Sequence, residues 1–200
     1  YVTGTDNRKK VGFVTALTTD GEKKWTQEYG PAFDRSYGGA RTCPTVHDGK
    51  LYVMSGAGHL CCLRASDGKP LGRIDTVEKY GGRQITWGIA ESPLISGGRV
   101  ICTPGGKDAA LVALTPANGA TVWKTSGLGD KSAYCSPIAF RHGGTQLICT
   151  VLSNHIVGID ATNGEPLWKI PFKNRFSAHP NTPVYSNGRV YVTAGYDHGG

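Results

Sequence analysis

The most reactive side chains in the sequence are six cysteines, and two of them, Cys61 and Cys62, are adjacent. A vicinal pair is a candidate redox site, because two neighbouring thiols can be oxidised to a disulfide. The other four, Cys43, Cys102, Cys135 and Cys149, stand apart from one another. There is no CxxC, and the six histidines (His47, His59, His142, His155, His179 and His198) form no pair at ligand spacing, so no zinc site is expected. Most of these histidines fall at turns, where solvated side chains are the expectation. Neither a nucleophile elbow nor a zincin motif is present. Gly105-Gly106-Lys107-Asp108 opens like a phosphate loop but reads as a turn between strands, not the approach to a helix.

Composition narrows the function classes further. The 200 residues carry a net charge of +7, yet the 22 Lys and Arg are scattered and the longest basic run is Arg8-Lys9-Lys10. That pattern argues against a nucleic-acid groove, while still favouring anionic ligands or surfaces. No apolar run approaches the ~20 residues of a membrane helix. With 29 Gly and 11 Pro, the chain calls for many turns and short strands.

An internal repeat supplies the elements. Cys43-Pro44-Thr45-Val46, Ser92-Pro93-Leu94-Ile95, Ser136-Pro137-Ile138-Ala139 and Thr182-Pro183-Val184-Tyr185 share one frame, with prolines 49, 44 and 46 residues apart. Each is followed by a turn (Asp48-Gly49, Gly97-Gly98, Gly143-Gly144, Asn187-Gly188) and an apolar run. Such dipeptides accept the positive φ of a tight hairpin. A second hairpin follows in phase around Gly21, Gly68, Gly119 and Gly164, which are 47, 51 and 45 residues apart. Four antiparallel strands per repeat of about 46 residues describe a β-propeller blade.

The expected fold is therefore all-β, with a partial blade over 1–30, complete blades over about 42–75, 91–125 and 135–170, and a partial blade over 181–200. Trp25, Trp123 and Trp168 close the outer strands, where a flat ring can pack between sheets; Gly72 holds that position in the second blade. Tyr1-Val2-Thr3 aligns with Tyr191-Val192-Thr193, so about four blades are spanned. A segment of a larger propeller is the reading, with a ring of two chains as the alternative.

Gly158-Ile159-Asp160-Ala161-Thr162-Asn163-Gly164-Glu165-Pro166-Leu167-Trp168 resembles the tryptophan-docking repeat of the pyrroloquinoline-quinone (PQQ) propeller superfamily. Ala113 to Trp123 matches at Ala113, Gly119 and Trp123, with Thr115 in place of the Asp. The resemblance implies structural docking roles for Trp25, Trp123, Trp168, Gly21, Gly68, Gly119 and Gly164. It also implies an exported, periplasmic or envelope protein. Two activities are compatible with it: a noncatalytic binding or scaffolding module without cofactor, or part of an alcohol or sugar dehydrogenase using PQQ and calcium.

Some quinoprotein dehydrogenases stack a vicinal disulfide on the quinone. Here Cys61 and Cys62 align with Val112-Ala113 and Val157-Gly158 in mid-strand, so buried thiols filling small apolar slots are expected instead. What remains are the connectors 26–42, 74–91, 125–135 and 170–181, expected to gather on one face around the channel mouth. They carry Arg41, Tyr80, Arg83, Trp87, Glu91, Tyr134, Arg175 and His179, with Asn181 at the end. Arg and aromatic residues combine donors with stiff contact area, suiting a protein or polysaccharide ligand, although the rings can equally serve packing. Under the quinoprotein reading, Arg41, Arg83 and Arg175 would meet the PQQ carboxylates and Glu91 and Asn181 would offer oxygens to calcium. A glycan-binding propeller is a further alternative.

Overall fold

The computed structural model describes residues 1–196 and 199; His198, expected at a turn, lies outside the described residues. Five antiparallel sheets follow one another along the chain. The first comprises β1 (Val2–Asp6), β2 (Val11–Leu17) and β3 (Lys23–Pro31). The second blade is β4 (Thr45–His47), β5 (Lys50–Met54), β6 (His59–Arg64) and β7 (Pro70–Asp75), and the third is β8 (Leu94–Ser96), β9 (Arg99–Cys102), β10 (Val112–Leu114) and β11 (Thr121–Lys124). The fourth is β12 (Ile138–His142), β13 (Thr145–Val151), β14 (His155–Asp160) and β15 (Pro166–Pro171), and β16 (Val184–Ser186) pairs with β17 (Arg189–Tyr191). Neighbours in sequence are neighbours in every sheet, as a meander requires. One departure from the all-β expectation is a four-residue helix, α1 (Thr76–Lys79), capped by the Asp75 side chain, which accepts from Glu78 N at 2.9 Å.

The turns form where the sequence placed glycine and asparagine. Asp48 and Gly49 have φ of 47° and 67°, and Asn187 and Gly188 have 49° and 77°. Both residues are left-handed, as a type I′ hairpin demands. The outer turns close through Gly68 N to Arg64 O at 2.8 Å, Gly119 N to Thr115 O at 2.9 Å and Gly164 N to Asp160 O at 2.9 Å. Asp160 steadies its turn by accepting from Thr162 N and Oγ1. These hydrogen bonds, from the Thr162 hydroxyl first, hold its carboxyl below the ordinary pKa.

Apolar cores lie between successive sheets, so the central strands are buried on both faces. Leu51 and Val53 meet Val14 and Tyr29 of the first sheet, whereas Tyr52 and Met54 turn to Val100 and Val112 of the third blade. Ile101, Ala113 and Trp123 then pack on Ile148, Val157 and Ile159. This alternation explains the near-continuous apolar runs read in the sequence. The six cysteines are free; Cys61 is buried with its thiol donating to Tyr29 O, Cys62 is half-buried and Cys43 is exposed. Burial pushes the Cys61 thiol up to about 12, which keeps it protonated and unreactive.

Side chains also tie each blade to the next. Cys43 N donates to Ser92 Oγ at 3.0 Å, and Ser92 N to Ser136 Oγ at 2.9 Å. On the outer side a turn carbonyl of each blade accepts from the blade before it: Ala65 O from Tyr1 Oη at 2.9 Å, Pro116 O from Lys50 Nζ at 3.0 Å, and Ala161 O from Arg99 Nη1 at 3.0 Å. The Trp25 ring lies against Gly68 and the Trp123 ring against Gly164, where an added Cβ would fall 2.7 Å and 2.5 Å from ring carbons.

Candidate functional site

The connectors meet. Trp87 of the second connector lies 5.7 Å from the Tyr134 ring of the third and 6.3 Å from the Phe176 ring of the fourth. Phe176 in turn meets Tyr196 edge-on at 4.7 Å, and the Arg175 guanidinium lies 5.2 Å from the Phe176 ring centre. The first connector contributes Arg41, whose charge favours ionisation of the Tyr134 hydroxyl; burial of that hydroxyl is the larger effect and leaves its pKa raised. The Arg41 guanidinium packs 5.4 Å from the Phe33 ring and donates to the carbonyls of Gly39, Ser36 and Tyr37. The result is a patch of aromatic rings with basic groups beside it, built from separate blades.

Backbone conformation marks the same region. Among the described residues, apart from three in hairpin turns, the positive-φ residues other than glycine are Tyr37 (49°), Tyr134 (75°), Ser177 (51°) and Tyr196 (61°), all in connectors or beyond β17. Side chains with a Cβ adopt this conformation at a cost of roughly 1–2 kcal/mol each. Strain of this kind persists where surrounding contacts over-determine it and clusters at binding sites.

Several residues expected on this face lie inside the protein instead. Tyr80 is buried, its hydroxyl 2.8 Å from Thr121 Oγ1. His179 is fully buried beside Phe172, its backbone N donating to Ala133 O. Glu91 is 1% exposed; Oε1 accepts from Thr103 N at 2.7 Å while Oε2 has no partner. Burial pushes its pKa up to about 7. Placement on a contact surface is thus corrected for these three: each is buried, Tyr80 in the core between the second and third blades. Arg83, Arg175 and Asn181 are exposed, and Arg41, Trp87 and Tyr134 are half-buried. Asn181 Nδ2 reaches Thr193 Oγ1 at 2.8 Å.

The sequence reading missed a polar cluster below the patch. Asp130, 4% exposed, accepts from Asn154 N at 3.0 Å, Asn154 Nδ2 at 2.8 Å and the Ser153 hydroxyl, with His155 Nδ1 at 2.8 Å. Burial works to raise the Asp130 pKa, but hydrogen bonds from Ser153, His155 and Asn154 outweigh it and hold the carboxyl below its ordinary value. Ser153 and His155 bind the carboxylate separately, so the imidazole does not lie between acid and hydroxyl as a nucleophilic relay requires. Turned histidines were expected to be solvated; His155 on Asp130 and His59, 3.2 Å from Asp75, are instead paired. A cleft of about 320 Å³ opens here, lined by Gln84, Thr86, Lys131, Asn154 and Phe176 among others. Nothing in the local sequence around Asp130 announces this cluster, because its partners lie about one hairpin away. Among the described residues no group of three or more His, Cys, Asp or Glu could hold a metal ion, and no helix is long and apolar enough to cross a membrane.

No curated protein sequence matches the chain significantly. In overall structure it is similar to BamB from Moraxella catarrhalis (TM-score 0.58, 18% identity), covering 90% of this chain and 48% of that one. It is also similar to the quinohemoprotein alcohol dehydrogenase from Comamonas testosteroni (TM-score 0.62, 18% identity), covering 92% and 38%. The computationally designed Ika4 protein aligns with a TM-score of 0.51 at 12% identity, covering 80% and 86%. The chain thus spans about half, or less, of the length of the two natural structures. These likenesses show the β-propeller fold expected from the repeat. Residues 10–197 match the family described as outer membrane protein assembly factor BamB, and the chain belongs to that family.

Proposed function

We propose that this chain is part of a noncatalytic propeller of the bacterial envelope, and that its connector face binds a protein segment as a scaffold does. The observation that carries the reading is the joined patch of Trp87, Tyr134, Phe176 and Tyr196 with Arg41 and Arg175 beside it. Aromatic and Arg side chains that are already packed on one another bind with little further ordering, which suits a recognition surface. Membership of the outer membrane assembly family supports the same reading. The basic groups favour an acidic segment carrying apolar side chains.

The dehydrogenase reading is the weaker one on residue chemistry. Of the three arginines that would meet PQQ carboxylates, Arg41 already donates to three backbone carbonyls, whereas Arg83 and Arg175 are exposed. Calcium needs clustered oxygens, and the Glu91 carboxyl is enclosed with Thr103 while Asn181 donates to Thr193. A glycan platform needs a fully presented flat ring, whereas Tyr80 is buried and Trp87 is flanked by Tyr134 and Phe176.

The test has two arms. A photo-crosslinking residue at position 176 in the cell envelope is expected to capture one defined protein, and Trp87→Ala to abolish that capture without unfolding the chain. Titration with PQQ, with and without calcium, is expected to show no saturation; calcium-dependent binding near one per chain would overturn the proposal.

A further inference from the structure

The junction between the second and third blades lacks the ring that fills its neighbours. Trp25 and Trp123 cover Gly68 and Gly164 at the flanking junctions. The equivalent residue here is Gly72, opposite Cys62, and a Cβ built on it meets nothing within 4 Å. Ile74, two residues further along the same strand face, reaches Gly119 instead, with Cδ1 2.6 Å from the Cβ position. What remains is a cavity of about 390 Å³ walled by Tyr52, Leu60 and Cys62 on one blade and Val100, Leu114 and Pro116 on the next.

The acceptor that an indole would use is also present. At the following junction Trp123 Nε1 donates to Ala161 O at 3.2 Å, alongside Arg99. The corresponding carbonyl here is Pro116 O, which accepts from Lys50 Nζ at 3.0 Å and lies 3.4 Å from Tyr52 Oη. A carbonyl has two lone pairs, and the second interaction is at the long limit of a hydrogen bond. The cavity therefore has the volume of a small-ligand site, largely apolar walls bordered by Lys50, Arg73 and Asn118, and an acceptor, Pro116 O, whose second partner is distant.

We propose that this slot binds a small planar bicyclic heteroaromatic with one ring N–H, of which indole is the simplest. The ring would lie between Tyr52, Leu60 and Cys62 and the Val100–Leu114 wall, with its N–H donating to Pro116 O. The half-buried Cys62 thiol serves as a soft, polarisable wall for a π-system. This site lies apart from the connector patch and does not depend on it.

Calorimetric titration of the purified chain with indole tests the proposal. One indole per chain is expected, with 1-methylindole about fivefold weaker because one neutral hydrogen bond is lost. Gly72→Trp supplies the ring from within and should abolish indole binding while raising the melting temperature. Cys62→Leu fills the slot from the opposite wall and should lower affinity about tenfold or more. Absence of saturable binding by the wild type, equal affinity for the two indoles, or unchanged binding in a folded variant would each overturn it.

Discussion

Two junctions of the same propeller have nearly the same frame and different contents. Between the third and fourth blades, Trp123 lies on Gly164 and its N–H is satisfied by Ala161 O. Between the second and third, Gly72 leaves a cavity and Ile74 alone crosses to Gly119. Both junctions retain the five-residue outer turn, the basic side chain on the turn carbonyl and the serine contact on the inner side. Blade placement is therefore set by turn geometry and main-chain acceptors, and the indole adds packing to a geometry already fixed.

The largest effect should come from removing the ring where it exists. Trp123→Ala is expected to cost about 3–5 kcal/mol in urea denaturation, because the side chain is buried in a well-filled core. If the loss is no larger than that of Ile74→Ala, the indole is not what distinguishes the junctions. Next in size is the inner end of the third blade, where Glu91 stands in the frame of Thr42 and Asn181. Its folded pKa, about 7, lies above the ordinary 4.5, so its stabilising protonated form is lost as pH rises through that window. Glu91→Gln is expected to stabilise the chain by up to about 3 kcal/mol at pH 8 and to be nearly neutral at pH 4, read from melting curves at both. A difference independent of pH would assign the effect to packing.

Gly72→Trp should add about 1–2 kcal/mol by filling the cavity, which calorimetric melting will read. Destabilisation would mean that Ile74 has closed the slot to a ring. Smallest is the bolt itself: Arg99→Met, which removes contacts to Ala161 O and Thr162 O, is expected to cost about 1 kcal/mol. Lys50→Met, with one contact, should cost less.

Blade boundaries and hairpins were legible because each depends on a few adjacent residues. Asp48-Gly49 and Asn187-Gly188 write their turns directly, and the small residue opposite each tryptophan (Ala16, Ala113 and Gly158) leaves room for the ring; at Gly158 a Cβ would fall 2.0 Å from the Trp168 ring. The short helix α1 was missed because four residues carry no period. The connector face was legible only as a composition. Its members come from segments dozens of residues apart, so Trp87 beside Phe176 and Asp130 beside His155 are consequences of tertiary packing, not of local pattern. The burial of Glu91 and His179 could not be read for the same reason. The left-handed tyrosines run against local preference, and no sequence signal marks them.

The bolts between blades have a consequence for how such a chain can change over time. Their acceptors, Ala65 O, Pro116 O and Ala161 O, belong to the main chain, so no point substitution deletes them. Only the donor varies, and tyrosine, lysine and arginine all fill the role here. A blade copied beside another inherits a working attachment before its side chains have diverged to fit, and later drift at the donor is forgiven. The architecture can thus gain or exchange blades first and refine their interfaces afterwards.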